Sequence, residues 1–164
     1  MVAHAHVIAA VAALLLGLIV FLQRKGTRLH VRIGIGYVIS MLVMNLTALA
    51  IYRLTGKLNA FHIGALFSLA TVLAGWIPAL RRKPRDKWLQ YHFEFMSWSY
   101  VGLVAGAVSE VGTRLPNAPF VGAVVAGSAV VFLVGGILIF RARSRFVGQH
   151  ANPQLSASRR WLRC

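Results

Sequence analysis

Long apolar runs alternate with short polar breaks along the whole chain, and each run is close to one bilayer thick. Val7–Leu22, Ile33–Tyr52, Phe61–Leu80, Phe93–Val111 and Phe120–Phe140 are the five runs. At 1.5 Å per residue such segments approach the roughly 30 Å of a hydrocarbon core. The first and last contain no Asp, Glu, Lys or Arg. A backbone in lipid must satisfy its own hydrogen bonds, so these runs predict helices. The expected fold is all-α: a polytopic membrane bundle of about five transmembrane helices, a four-helix core plus one. Val7–Leu22 lacks a positive flank before it and ends in Gln23-Arg24-Lys25 rather than at a small-residue cleavage site. It is therefore expected to remain as a span and not to be removed as a signal peptide.

The breaks carry matching punctuation. Gly26-Thr27 suits the cap of the second span, Asn59 that of the third, and Pro84-Arg85-Asp86 a turn whose Asp caps the fourth. Pro116, Asn117 and Pro119 mark the last loop. Residues 1–143 then form the membrane domain. Residues 144–164, with Asn152-Pro153 and several Ser and Arg, read as a basic, disordered tail.

Composition agrees: 58% of residues are hydrophobic, 13% are charged, and the mean hydropathy is +0.69. A net charge of +15 would suggest nucleic acid in a soluble protein, but here the distribution excludes that partner. The cations flank the spans, where anionic headgroups of membrane lipid are the nearest phosphates. Arg24, Lys25, Arg28 and Arg32 lie in one break, five more cations in Arg81–Lys87, and six in the tail from Arg141. Only Arg53, Lys57 and Arg114 fall on the other side. The positive-inside rule then places the N-terminus outside and the C-terminus in the cytoplasm, in the inner (plasma) membrane. The single cysteine, Cys164, allows no intrachain disulfide.

Four of the six histidines stand at the ends of four different spans. His6 and His62 open the first and third at the outer face; His30 and His92 precede or begin the second and fourth at the inner face. In an up-and-down four-helix bundle, helices one and three are diagonal, as are two and four. Each pair can thus face across the bundle axis at one depth. Opposed neutral imidazoles are the donor set for both axial positions of a haem iron, so haem b is the expected cofactor. Small residues share the faces: Ala10, Ala13 and Gly17 follow His6, and Ser99 and Gly106 follow His92. His30, Gly34, Tyr37 and Met41 form one stripe, with Tyr37 a candidate hydrogen-bond donor; His62 aligns with Leu69 and Trp76. Arg28 and Arg32, beside His30, are candidate partners for haem propionates. His4 could replace His6 as a ligand, and His150 in the tail is incidental. The competing reading is structural: interfacial histidines often snorkel or cap, and small-residue stripes often serve helix packing.

Among the three acids, Glu94 lies inside the fourth span, where a carboxylate is costly unless paired, and it points about 200° away from His92. It is expected to pair with a loop Arg or to exchange protons. Glu110 lies near the outer end, and Asn45, deep in the second span, is expected to make an interhelical hydrogen bond. The catalytic signatures of hydrolases, metalloproteases and nucleotide-binding loops are missing from the sequence.

Arg24-Lys25-Gly26-Thr27-Arg28-Leu29-His30, followed by Gly34 and Tyr37, together with Phe61-His62 and His92 with Ser97, resembles a family of small bacterial membrane proteins, DUF2306. The resemblance covers roughly residues 6–110 and implies a membrane protein without an assigned activity. The paired histidines on alternate helices are also similar in architecture to transmembrane di-haem b-type cytochromes. That likeness implies an electron carrier between a quinol or redox protein and an acceptor. The alternative is a non-catalytic accessory or assembly subunit of a membrane complex, without cofactor.

Overall fold

The computed structural model describes residues 1–55, 60–85, 87–114, 116 and 119–151. Five helices follow one another: α1 (Val2–Leu22), α2 (Arg28–Thr55), α3 (Ala60–Arg81), α4 (Trp88–Gly112) and α5 (Phe120–Ala151). The five apolar runs therefore each become one helix, and the helices extend past the runs at most ends. Backbone hydrogen bonding does not stop where hydropathy does, so polar flanks such as Arg28–Arg32 and Trp88–His92 join the helical turn. α5 continues through Ala151, past the expected start of the tail at residue 144. Residues 152–164 lie outside the described residues, as do Asn59 and Asp86 with the caps expected of them.

Thr27 caps α2 as expected. Its Oγ1 accepts the His30 backbone N–H at 3.1 Å, answering one of the donors that the first turn leaves open. Gly26 precedes it with φ at +79°, a left-handed conformation in which a side chain would be strained. Between α3 and α4 the chain turns through Arg82, whose φ is 49°. The Pro84 carbonyl then accepts the N–H groups of Lys87 and Trp88 at 3.1 and 2.8 Å and starts α4.

Neighbouring helices pack in a ring: α1 on α2, α2 on α3, α3 on α4, and α4 back on α1, with α5 resting on α4 alone among the described residues. Thus α1 and α3 are diagonal, and so are α2 and α4. The centre is filled by Ala13, Tyr37, Val38, Met41, Val72 and Leu103, while large apolar side chains such as Leu15, Phe67, Val121 and Leu133 point outward. That distribution is the reverse of a soluble protein and suits lipid. Four helices (α1, α2, α3 and α5) are long and apolar enough to cross a membrane. α4 is long enough too, its 25 residues reaching about 37 Å, but is more polar. Its buried residues include Ser97, Ser99 and Ser109, which the surrounding helices shelter.

Close approach depends on missing side chains. A Cβ on Gly17 of α1 would lie 2.5 Å from the Tyr100 ring and 3.0 Å from that of Tyr37. One on Gly75 of α3 would meet the Met96 backbone nitrogen of α4 at 2.9 Å. One on Gly135 of α5 would meet Val101 of α4 at 2.5 Å. Small residues at helix crossings are how membrane helices gain dispersion contact in a solvent already apolar. Gly17→Val is expected to lower stability by about 1–3 kcal/mol through overpacking against the two tyrosines. A thermal melt of the detergent-solubilised protein followed by near-ultraviolet dichroism measures this, and an unchanged midpoint would contradict the packing described.

Candidate haem-ligand site

The two helices that carry His30 and His92 have no close backbone contact among the described residues, because they stand diagonally across the ring. Their imidazoles nevertheless meet in the space between: the ring centres are 6.5 Å apart and the planes are nearly perpendicular, at 86°. His30 is the third residue of α2, held there by the Thr27 cap. His92 sits in the second turn of α4, and its Nδ1 lies 2.9 Å from the Gly75 carbonyl of α3. A carbonyl only accepts, so Nδ1 is the protonated nitrogen and Nε2 is left with its lone pair. That is the arrangement commonly found at metal-ligating histidines, where an outer partner fixes tautomer and ring orientation. His30 Nδ1 is buried and meets no hydrogen-bond partner among the described residues. Leaving such a group unanswered costs about 1–3 kcal/mol.

The spacing can be tested against a bound iron. A metal–imidazole nitrogen bond is about 2 Å long and the nitrogen lies roughly 1 Å from its ring centre, so two opposed axial imidazoles have centres about 6 Å apart. The observed 6.5 Å is close to that length. Among the described residues no group of three or more His, Cys, Asp or Glu converges on one point. A metal held mainly by side chains therefore lacks a donor set there, whereas a macrocycle that brings its own four nitrogens needs only two.

Next to the pair, Gly34 has open space where a Cβ would be. Tyr37, two turns from His30, closes the floor. Its hydroxyl is 2.9 Å from Ser99 Oγ, and Ser99 donates onward to the Met96 carbonyl at 2.8 Å. Tyr37 is thus the donor to Ser99, and its hydroxyl serves the bond between α2 and α4. Tyr100 donates to the Leu14 carbonyl at 3.2 Å and so links α4 to α1. Arg28 and Arg32 are exposed on the first two turns of α2, on the same helix end as His30.

At the opposite end His6 and His62 are placed on the diagonal helices α1 and α3. His6 Nδ1 lies 3.0 Å from the Met44 carbonyl and 3.2 Å from Thr47 Oγ1, both on α2, which again leaves Nε2 as the free acceptor. His62 is buried, with 5% of its surface exposed. Asn45 is fully buried nearby in sequence to Met44, but its amide donates to Met41 O at 2.8 Å within its own helix, not to another helix as expected. Glu110 pairs with Arg114 one turn on at the exposed surface. Glu94 takes an Arg143 Nε of α5 at 3.0 Å and the Gln90 amide at 2.9 Å, so its partner is a helical residue and not a loop arginine.

The sequence pattern missed three partners. Gly75 offers no side chain, and its carbonyl could be found only from the packing of α3 on α4. Ser99 is small, but its hydroxyl serves Tyr37 instead of simply leaving room for a cofactor. Thr47 lies on α2, and only the packing of α1 on α2 brings it to His6.

The family described as "predicted membrane protein (DUF2306)" matches residues 3–147, nearly the whole described chain. The chain belongs to the DUF2306 family. No curated protein and no solved structure matches it. Membership establishes an integral membrane protein, as the apolar helices require. What distinguishes the DUF2306 bundle as a chemical site rests on the residues just described. Two variants probe its floor. Tyr37→Phe leaves Ser99 bonded to Met96 and is expected to cost about 1 kcal/mol. Ser99→Ala strands the buried Tyr37 hydroxyl and should cost more, about 1–3 kcal/mol. Thermal denaturation in detergent reads the difference, and equal losses would contradict the donor order assigned.

Proposed function

We propose that this protein is a membrane electron carrier that binds b-type haem through His30 and His92. The observation that carries the reading is the pair of imidazoles from diagonal helices with centres 6.5 Å apart, one of them oriented by a carbonyl behind it. A bis-histidine haem would supply one-electron transfer. The chain's own residues do the rest. The Gly75 carbonyl engages His92 Nδ1 and leaves Nε2 as the ring's ligating nitrogen. The Thr27 cap fixes the first turn of α2 and with it the height of His30. Arg28 and Arg32 supply cations for the propionates. The Tyr37–Ser99 bond and the Tyr100 ring keep the apolar floor closed beneath the pair.

His6 and His62 form the second candidate pair, which would place another haem near the opposite face, with a quinol or a redox protein as electron donor. The basic end carrying Arg24–Arg32 and Arg81–Arg85 would lie in the cytoplasm of a cell with this protein in its inner membrane.

Reduced-minus-oxidised spectra of protein purified in mild detergent from haem-replete cells test the proposal. Sharp Soret and alpha bands are expected, with loss of most of the low-spin signal in His30→Ala and in His92→Ala. A folded, colourless protein would sink the electron-carrier reading and favour an accessory subunit; bands unaffected by either variant would move the ligands to His6 and His62. Orientation has its own probe in the single cysteine. In intact cells Cys164 is expected to resist a membrane-impermeant maleimide and to react after permeabilisation; labelling without permeabilisation would reverse the topology.

A further inference from the structure

The break between α3 and α4 folds back on the helix it follows. α3 ends at Arg81, the left-handed Arg82 reverses the chain, and Lys83, Pro84 and Arg85 come to lie opposite Ile77 and Pro78. Together with Arg81 these residues border a shallow, open hollow of about 560 Å³. Its lining holds three cations, Arg81, Lys83 and Arg85, beside the apolar Ile77, Pro78 and Pro84, and Ile77 on α3 is 40% exposed. The loop is braced at its far side by the two N–H groups on the Pro84 carbonyl.

We infer that this cavity binds one anionic phospholipid, its phosphodiester among Arg81, Lys83 and Arg85 and the start of an acyl chain along Ile77 and Pro78. The α3 carbonyl end presents about half a negative charge, which opposes an anion, but three full cations outweigh it. The apolar residues decide between phosphate sources: a free phosphate ion would leave Ile77 and Pro78 unused, whereas a phospholipid covers them as well as the cations. The site is independent of the histidine pair and stands or falls separately from the haem proposal.

Native mass spectrometry and lipid titration of the full chain in neutral detergent provide the test, with phosphatidylglycerol, phosphatidylcholine and inorganic phosphate as probes. One phosphatidylglycerol is expected to remain bound, and phosphatidylcholine to bind at least tenfold more weakly. Each of Arg81→Gln, Lys83→Gln and Arg85→Gln should weaken phosphatidylglycerol about fivefold, the effect of one cation near an anionic headgroup, and Arg24→Gln should not. Equal binding of the two lipids, equal loss in Arg24→Gln, or displacement of phosphatidylglycerol by millimolar phosphate would each overturn the assignment. Because all three side chains are exposed, the variants are expected to fold; helical dichroism checks this, and Ile77→Asn, which leaves every cation in place, should weaken the lipid but not phosphate.

Discussion

Everything in this bundle depends on sheltering α4, a helix too polar to face lipid by itself. It carries an imidazole, two carboxylates, three buried serines and two tyrosines, and neighbours answer many of these groups: His92 by Gly75, Ser99 by Tyr37 of α2, Tyr100 by Leu14, Ser109 by Val124 and Ser128, Glu94 by Arg143. A polar atom left bare in hydrocarbon costs several kcal/mol, so these bonds select one arrangement of helices among the many that apolar packing alone would tolerate. The glycines at 17, 75 and 135 make the arrangement possible by letting α1, α3 and α5 approach closely enough for the bonds to form.

α4 also divides the protein into two chemical environments. On its core side stand His92 and Ser99, turned toward α2 and the bundle axis. On its outer side Glu94, Trp98 and Ser109 meet α5, where Trp98 stacks on Phe132 with ring centres 6.2 Å apart. Two residues along a helix turn a side chain by about 200°, so His92 and Glu94 are neighbours in sequence yet serve opposite faces. A partly exposed ion pair contributes modestly to stability; together with the Ser109 bonds to Val124 and Ser128 it fixes where α5 sits on α4.

Much of this could be read from the chain alone. Hydropathy located all five helices, and Thr27 announced the start of α2. Even the diagonal pairing of α2 with α4 follows from antiparallel connectivity and short breaks, and with it the matching of His30 to His92. Helix ends were placed several residues short, because apolarity marks the lipid-immersed stretch whereas the hydrogen-bonded turn continues into the charged flank. The partners of His92 and His6 were hidden for a different reason. Backbone carbonyls belong to every residue, and which one is reached depends on the depth at which two helices cross. For Asn45 the pattern favoured a neighbouring helix, but its own Met41 carbonyl was closer, a short-range competitor always available to a polar side chain four residues on.

The ion pair that joins α4 to α5 has a consequence for biosynthesis. Arg143 is translated well after Glu94, so a newly made α4 leaves the ribosome with a carboxylate whose counterion does not yet exist. Until the last helix arrives, that side chain must remain in the insertion machinery's aqueous interior or linger near the headgroups. Completion of the bundle is thereby coupled to completion of the polypeptide, and a chain stopped before α5 would present quality-control proteases with an unneutralised acid in the bilayer.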